Sequence, residues 1–535
     1  MKALGLIWGF ALRYPLALAA LLIAIQCIFA LDNRFLWFSD EVRYAEAYSN
    51  LAQDGHWIVL RLNGVAYPDK PPLYFLLLAA LDLIPGVDLP AVMLLGSALS
   101  GWLLLAGLSS LGGAMGFSAK ARALAVLVML SLFSFAMLLH YVRMDLLFIA
   151  LTLWSLAALY SHYLSDKSPR LAYLGFGLAG LAVLTKGPLG VIFPLAAIIM
   201  LAVLRGKARV LISATTLKGF AVALGVVALW LVGIIGKEGV DFLMNDIIGK
   251  QVVARATDTF HHKEPVSYYF KILPIALLPW LGYLAAMNRE TFAAVPQRFA
   301  EARSNGSPKI EAALVAAIIF AILSSLDGKV GVYILPVLAL FALVLAHSIE
   351  NQSSARGFIG VSLCLAVLAL GVGTLAFQSA GPLLWLMAPI AALLLALLAG
   401  LVWRYRNESG EQITTLIALG MTVWSAFAGA FLLPQLNERL SPQPYAAVLA
   451  DYAAQGYVPI AYKTYPGIFS YYAGLDVEQV EDEETFSALN ASNLIVVATR
   501  LADWEALDLA GFEILHQGEI DGGGGVYLVA VEQSQ

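Results

Sequence analysis

Residues 89–111 read LPAVMLLGSALSGWLLLAGLSSL, twenty-three residues with no charged side chain among them. Wound as an α-helix at about 1.5 Å per residue, the stretch is long enough to cross the roughly 30 Å hydrocarbon layer of a bilayer. Comparable runs recur along the chain, near residues 14–31, 119–139, 144–163, 171–185, 188–204, 217–236, 270–287, 310–326, 329–348, 357–377, 382–403 and 412–433. Together they predict an all-α polytopic membrane protein with about thirteen transmembrane helices. Composition agrees, since 60% of the 535 residues are hydrophobic and 13% charged, about half the charged share of an ordinary soluble protein. Disorder, collagen-like repetition and coiled coil are excluded by the same figures. A net charge of −5 leaves no basic footprint for nucleic acid. Cys27 and Cys364, the two cysteines, both sit in apolar runs, so neither a disulfide framework nor a cysteine metal site is available. The first run is long and lacks a small-x-small cleavage site before Asp32, and reads as an anchor rather than a signal peptide.

Lysines and arginines in short loops set the orientation. With the N-terminus inside, the alternate loops hold Lys120 and Arg122, Lys167 and Arg170, Arg205 with Lys207 and Arg209, Arg289 with Arg298 and Arg303, Arg356, then Arg404 and Arg406, all on the cytoplasmic side. The apolar stretch 73–84 would move every later basic loop outside if it crossed. Short and preceded by Pro71 and Pro72, it reads as an interfacial helix. Residues 1–434 then form the membrane domain, with outer loops at 32–88 and 237–269. In 435–535 the composition changes, as Asp, Glu, Gly and Asn return and apolar runs shrink to strand length at 459–462, 494–498 and 526–531. Ser441 and Pro442 fit an N-cap and first turn, and Gly456 the matching C-cap. This segment is expected to be a small periplasmic α/β domain.

Basic residues that remain outside then become informative: Arg34, Arg43, Arg61, Lys70, Arg143, Lys186, a group from Lys237 to Lys271, and Lys329. Kept on the outer side beside hydrocarbon, they point to an anionic partner at the outer leaflet. The plainer alternative is that long basic side chains snorkel to lipid phosphates, which suits Lys237 or Lys271 singly better than the whole set. The first outer loop contains SDEVRYAE at 39–46 and LRLNGVAYPDKPPLY at 60–74. If residues from Glu41 onward are helical, Asp40 and Arg43 share a face at the helix start; the structural alternative is an N-capping Asp40 with a solvated Arg43. Prolines around Lys70 stiffen the segment that presents it. Three more outer edges carry charge: Arg143-Met144-Asp145, Thr185-Lys186-Gly187-Pro188, and Asp327-Gly328-Lys329 before Tyr333. The 237–269 loop adds Arg255, His261, His262, Tyr268 and Tyr269. Adjacent histidines point apart on a helix and no third ligand follows at fixed spacing; no metal set is read, and a divalent metal is left open.

These stretches together resemble the lipid A aminoarabinose transferases and their wider relatives, the polyprenyl-phosphate-dependent membrane glycosyltransferases that include the protein O-mannosyltransferases. The resemblance spans residues 35–350. It is carried by Asp40 to Glu46, Gly55-His56-Trp57, Arg61 to Gly64, Lys70 to Leu73, Thr185-Lys186-Gly187, His262 and Pro265 before Tyr268-Tyr269, and Gly328-Lys329 with Tyr333-Ile334-Leu335. It implies a C-type glycosyltransferase fold with an outward-facing site, in which a sugar passes from a polyprenyl-phosphate carrier to an acceptor hydroxyl or phosphate, usually with inversion. By position it implies Asp40 as the catalytic carboxylate and Lys70 and Arg255 as holders of the carrier phosphate, with Arg43, Lys186, Lys329 and Tyr333 nearby. Asp145 joins Asp40 as a candidate catalytic carboxylate, and Lys329 and Arg43 join the phosphate-binding set. Arg61, Asp69, Lys186, His262 and Tyr333 complete the expected substrate pocket. The chain departs from the family pattern at Asp69, where Glu is usual, and at Val266-Ser267, where an aromatic pair is usual.

The chemistry is consistent with these residue types without the resemblance. A departing polyprenyl phosphate gains negative charge that Lys70, Arg255 and Lys329 can stabilise, and Asp40 can accept the proton of an acceptor hydroxyl. No activated nucleotide exists outside the cytoplasm, so a lipid-linked donor fits the location. The expected partners are a polyprenyl-phosphate-linked sugar, lipid A or a surface glycan, and membrane lipids, in a bacterial inner membrane. Alternatives are a protein O-mannosyltransferase-like enzyme, a glycan polymerase or ligase, and a transporter of the same lipid. Transporters tend to show internal repeats and midplane sites, whereas here the polar residues gather at one face and no repeat is visible.

Overall fold

The structure, a computed structural model, describes residues 2–254, 263–286, 307–378, 381–507 and 511–532. Among the described residues, eight helices are long and apolar enough to cross a bilayer: Leu89–Met115, Asp145–Tyr163, Ala214–Glu238, Pro308–Ser325, Gly331–Asn351, Ala355–Phe377, Leu384–Tyr405 and Gly410–Leu440. Two bent pairs bring the number to ten, Lys2–Arg13 with Pro15–Ala30 at 116° and Ala119–Leu130 with Phe133–His140 at 62°. The chain is a multi-span helical membrane protein with a small C-terminal sheet domain. The remaining stretches expected to cross are also helical: Pro169–Lys186 has 18 residues but is less apolar, Leu189–Leu204 is shorter, and the last is divided into Tyr268–Ala276 and Leu281–Ala285. Apolar composition reports how much chain lies in hydrocarbon, and says nothing of whether it runs straight.

Two of these breaks support each other. In hydrocarbon a broken helix exposes backbone groups that water cannot satisfy, so a neighbour must. Here the Phe133 N–H donates to the Leu278 carbonyl at 3.0 Å, the Ser134 hydroxyl to the Ala276 carbonyl at 2.8 Å, and the Trp280 indole to Ser131 Oγ at 2.9 Å. The bend thereby stabilised aims Phe133–His140 toward the end of the bundle where Arg143 follows.

The loops sort into two ends. Those expected to share one side meet there: Ser118 with Glu350 at 2.6 Å, Lys120 with Glu411, Lys207 with Asp166 at 2.7 Å, and Arg205 with Glu311 at 2.6 Å. At the opposite end lies the first outer loop. Its helix, Asp40–Asp54, begins with two acidic residues in the first turn and stops at Gly55 with φ 73°, as the helix dipole and the left-handed C-cap favour. Strands β1 (Arg61–Leu62) and β2 (Val65–Ala66) form a hairpin whose turn residues, Asn63 and Gly64, have φ 50° and 71°, the positive pair that a type I′ turn needs. The helix after the prolines, Leu73–Leu81, has nine residues and is too short to cross.

The C-terminal domain is a five-stranded mixed sheet of β3 (Val458–Tyr462), β4 (Glu478–Val480), β5 (Ile495–Arg500), β6 (Phe512–Ile520) and β7 (Gly525–Glu532), in the order β4-β3-β5-β7-β6. Strand β3 runs parallel to β4 and β5, while β7 is antiparallel to β5 and β6. The helix Gln443–Ala453 starts after Ser441, whose Oγ accepts from the Gln443 N–H, and Gly456 has φ 97°. This domain shares a core with the first outer loop, in which Leu36, Val42, Leu62 and Tyr67 pack with Tyr445, Ile468, Phe469 and Tyr527.

Arg34 and Glu41 anchor that loop. The guanidinium reaches both carboxylate oxygens at 2.5 and 2.6 Å, and Glu41 also accepts from the Trp37 and Val142 N–H groups at 2.7 and 2.6 Å. Both side chains are buried. Removing one partner of such a pair strands a buried charge, so Arg34→Ala should lower stability by about 3–5 kcal/mol. Thermal unfolding in detergent measures this, and a loss under about 1 kcal/mol would show the pair to be dispensable.

Candidate active site

Four segments, distant in sequence, bring charge to one place. Asp40 opens the outer-loop helix, Lys70 is held between prolines, Arg143 and Asp145 stand where the Asp145–Tyr163 helix begins, and Lys186 ends Pro169–Lys186. The Arg143 guanidinium bridges the two carboxylates, with Nη2 at 2.8 Å from Asp40 and Nε at 3.1 Å from Asp145. Lys186 takes the other oxygen of Asp145, and its ammonium lies 3.9 Å from the centre of the Tyr333 ring. Lys70 makes no hydrogen bond or ion pair within the described residues; its ammonium faces the Tyr44 ring at 5.6 Å and feels the charge of Asp40. Arg43 adds a further positive charge near Asp40. Four cations thus meet two carboxylates, an excess of two positive charges in a partly dry site.

That balance sets the ionisation of the groups outside the spans. Burial alone would push the Asp40 carboxyl up, but Lys70, Arg143, Arg43 and Lys186 outweigh it and hold it at about 2. Burial lowers the Lys70 ammonium below the usual lysine range, while Asp40 opposes the change and Arg143 and Lys186 reinforce it. A cluster with this surplus offers charge-assisted contacts that an anionic group can take up.

Beside it lies an apolar cavity of about 380 Å³ lined by Trp37, Met137, Tyr141, Ile275, Val332 and Leu335. Its walls come from the bent and divided helices, from the start of Gly331–Asn351, and from Trp37 and Leu433. Tyr141 is two residues from Arg143 and Val332 adjoins Tyr333, so apolar space and cationic cluster are neighbours along both segments.

Not every expected residue joins the cluster. Arg61 pairs with Glu238 at 2.5 Å and donates to the Gly64 carbonyl at 2.9 Å, latching the hairpin to the end of Ala214–Glu238. Lys329 is buried and donates to the Glu264 carbonyl at 2.7 Å and to that of Leu326, pinning 263–264 against 327–328. Its ammonium is therefore spent largely on backbone. Asp69 is half-buried next to Lys70. Arg255 and His262, with His261, lie outside the described residues. Among the described residues no three His, Cys, Asp or Glu side chains converge as a metal set. Asp40 and Arg43, expected to share a face at the helix start, are close enough for the Arg43 charge to act on Asp40, but the ion pair of Asp40 is with Arg143, the residue sequence reasoning left out of the site. Its signal was an outward arginine two positions before an aspartate at a span start. Tyr44 was also missed, as one helical tyrosine among several.

No protein-family model matches the chain. Among solved structures, it superposes on the ArnT from Cupriavidus metallidurans bound to undecaprenyl phosphate with a TM-score of 0.76 at 20% identity, covering 96% of this chain and 97% of that one. An oligosaccharyltransferase from Archaeoglobus fulgidus superposes with a TM-score of 0.53 at 14% identity, over 93% of this chain and 70% of that one. The architecture is thus the C-type glycosyltransferase fold. Within that class the chain is similar in sequence to the aminoarabinose transferases. It is 28% identical over 394 residues to the undecaprenyl phosphate-alpha-4-amino-4-deoxy-L-arabinose arabinosyl transferase of Serratia proteamaculans, covering 70% of this chain and 67% of that protein. Against the enzyme of the same name from Yersinia enterocolitica it is 27% identical over 378 residues, covering 67% and 65%. The matched stretch spans about two thirds of these relatives' length.

Since Lys70 depresses Asp40, removing it must raise the Asp40 pKa from about 2 and shift any acid limb of activity to higher pH. Lys70→Ala should also weaken polyprenyl-phosphate binding by about tenfold to a hundredfold, the worth of one charge-assisted contact. A pH–rate profile and a binding titration read the two effects. An unmoved acid limb with unchanged affinity would place Lys70 outside the site.

Proposed function

We propose that the chain is an integral-membrane glycosyltransferase that moves a sugar, aminoarabinose or a close relative, from undecaprenyl phosphate to lipid A. The observation that carries this reading is the surplus of two positive charges beside an apolar cavity. It suits a ligand with an anionic head and a long apolar tail. The relatives' names supply the sugar and the carrier, and the ArnT neighbour holds that carrier in its own structure.

In the proposed reaction the acceptor oxygen bonds to the anomeric carbon as the bond from that carbon to the carrier phosphate breaks. The bonding pair leaves with the phosphate, whose growing charge Lys70 and Arg43, with Arg255, stabilise. Asp145 holds Arg143 and Lys186 in place. Asp40, held ionised by its cationic neighbours, is at first a poor proton acceptor. Donor phosphate bound among those cations offsets their field and raises the basicity of Asp40, so the base strengthens when the donor is in place. With an acceptor hydroxyl the proton goes to Asp40. With an ionised acceptor phosphate no proton moves, and Asp40 instead stabilises positive charge developing on the sugar ring.

The separation of the loops into two ends supports a site facing the periplasm, with the N-terminus and basic loops in the cytoplasm and the C-terminal domain outside. Cysteines introduced at Val65 and Ala491 should react with an impermeant thiol reagent in spheroplasts, and those at Ser118 and Ser353 should not. The reverse pattern would invert this topology.

Mass spectrometry of lipid A from cells with and without the chain tests the activity. A sugar-shifted species should depend on the chain, and Asp40→Asn at equal expression should reduce it by about a hundredfold or more. Unchanged lipid A with an altered surface glycan or glycoprotein would favour a polymerase, ligase or protein transferase. Activity within about threefold of wild type would remove Asp40 from the chemistry.

A further inference from the structure

Arg43 lies in the first turn of the outer-loop helix, yet part of what holds it comes from the far end of the chain. Its Nε donates to the Pro466 carbonyl oxygen at 3.1 Å, and its guanidinium lies 5.0 Å from the centre of the Tyr67 ring. Neither Nη1 nor Nη2 has a hydrogen-bond partner among the described residues, and the side chain is half-buried. A planar guanidinium fixed through Nε and against a ring has the direction of its remaining two-nitrogen fork set as well. The fork stands in the field of the cluster around Asp40.

The carbonyl belongs to a tightly held loop. Following β3, Lys463 and Gly467 have φ 50° and 76°, and Ile468 and Phe469 are buried in the core shared with the outer loop. Tyr465 packs edge-on against Phe38 with ring centres 5.6 Å apart. At Gly467 a Cβ would lie 3.0 Å from a Leu62 methyl and 3.4 Å from Glu46, so a side chain there meets the outer loop as well as an unfavourable φ.

We propose that the 463–467 loop is a positioning element of the transfer site, by which the C-terminal domain aims the Arg43 fork at an anionic phosphate oxygen of the bound ligand. This rests on the glycosyltransferase reading and gives the C-terminal domain a part in transfer. Pro466 and Gly467 act through Arg43 and touch no reacting atom. The phosphate belongs either to the donor carrier or to the acceptor, and the two sources separate kinetically.

The test is a double-mutant cycle on the purified full-length protein, with Gly467→Val and Pro466→Gly each made in wild-type and Arg43→Ala backgrounds. Pro466→Gly loosens the loop without adding bulk and serves if Gly467→Val does not fold, as thermal unfolding reports. Transfer is measured with undecaprenyl-phosphate-linked aminoarabinose and lipid A, varying each in turn. Each loop variant should lose about tenfold in wild type and less than about twofold in Arg43→Ala, because the loop then has nothing left to position. A rise in donor KM assigns the fork to the carrier phosphate, and a rise in acceptor KM assigns it to an acceptor phosphate. Losses that multiply in Arg43→Ala, or loop variants that transfer like wild type, would overturn the inference. No transfer by the wild-type protein would instead overturn the functional reading on which it rests.

Discussion

Arg143 carries one guanidinium between two carboxylates, Asp40 at 2.8 Å and Asp145 at 3.1 Å, and these come from a loop helix and from the start of a membrane helix. Charges at the edge of hydrocarbon are costly unless paired, so this contact fixes how the outer loop sits on the bundle. Lys186 on a third helix closes onto Asp145, and the outer loop is locked from below by the buried Arg34–Glu41 pair. With both carboxylates already committed to Arg143 and Lys186, Lys70 and Arg43 supply the surplus charge. A structural necessity, pairing charges near lipid, leaves the two positive charges on which the proposed anion site rests.

Apolar runs long enough to cross a membrane announced the bundle, because hydrocarbon imposes length and composition directly. The breaks were hidden. Phe133 and Leu278 satisfy each other across 145 residues, and no local pattern records such a partnership. In the C-terminal domain the three strands expected from apolar runs became β3, β5 and β7, the interior of the sheet. The two unforeseen strands, β4 and β6, are its edges. Interior strands are covered on both faces and read as continuous apolar stretches, whereas edge strands carry more polar residues and lose that signature.

The candidate site was legible to a similar depth. Asp40, Lys70, Asp145, Lys186 and Tyr333 stood out as polar residues at outer edges or on motif positions, and the fold brings them together. Arg61 and Lys329 bore the same signal but serve as latches, one to Glu238 and one to backbone carbonyls. A basic residue on the outer side is equally well explained by a ligand, a carboxylate or a carbonyl, and only geometry separates them. Arg143 was named among the outward basic residues but left out of the site, for the opposite reason. Its role depends on Asp40, 103 positions earlier, and a pairing at that distance leaves no spacing to read.

The central claim is that the cluster binds a lipid through its phosphate while the neighbouring cavity takes the apolar chain. The most direct measurement compares a short polyprenyl phosphate with the corresponding polyprenol, titrated into the purified protein in nanodiscs at low and high salt. The account predicts that the phosphate binds at least about tenfold more tightly than the alcohol, and that a site this desolvated keeps most of the difference at high salt. Equal affinities for phosphate and alcohol would contradict it, because binding would then depend on the apolar chain alone and the two surplus positive charges would have no ligand to hold.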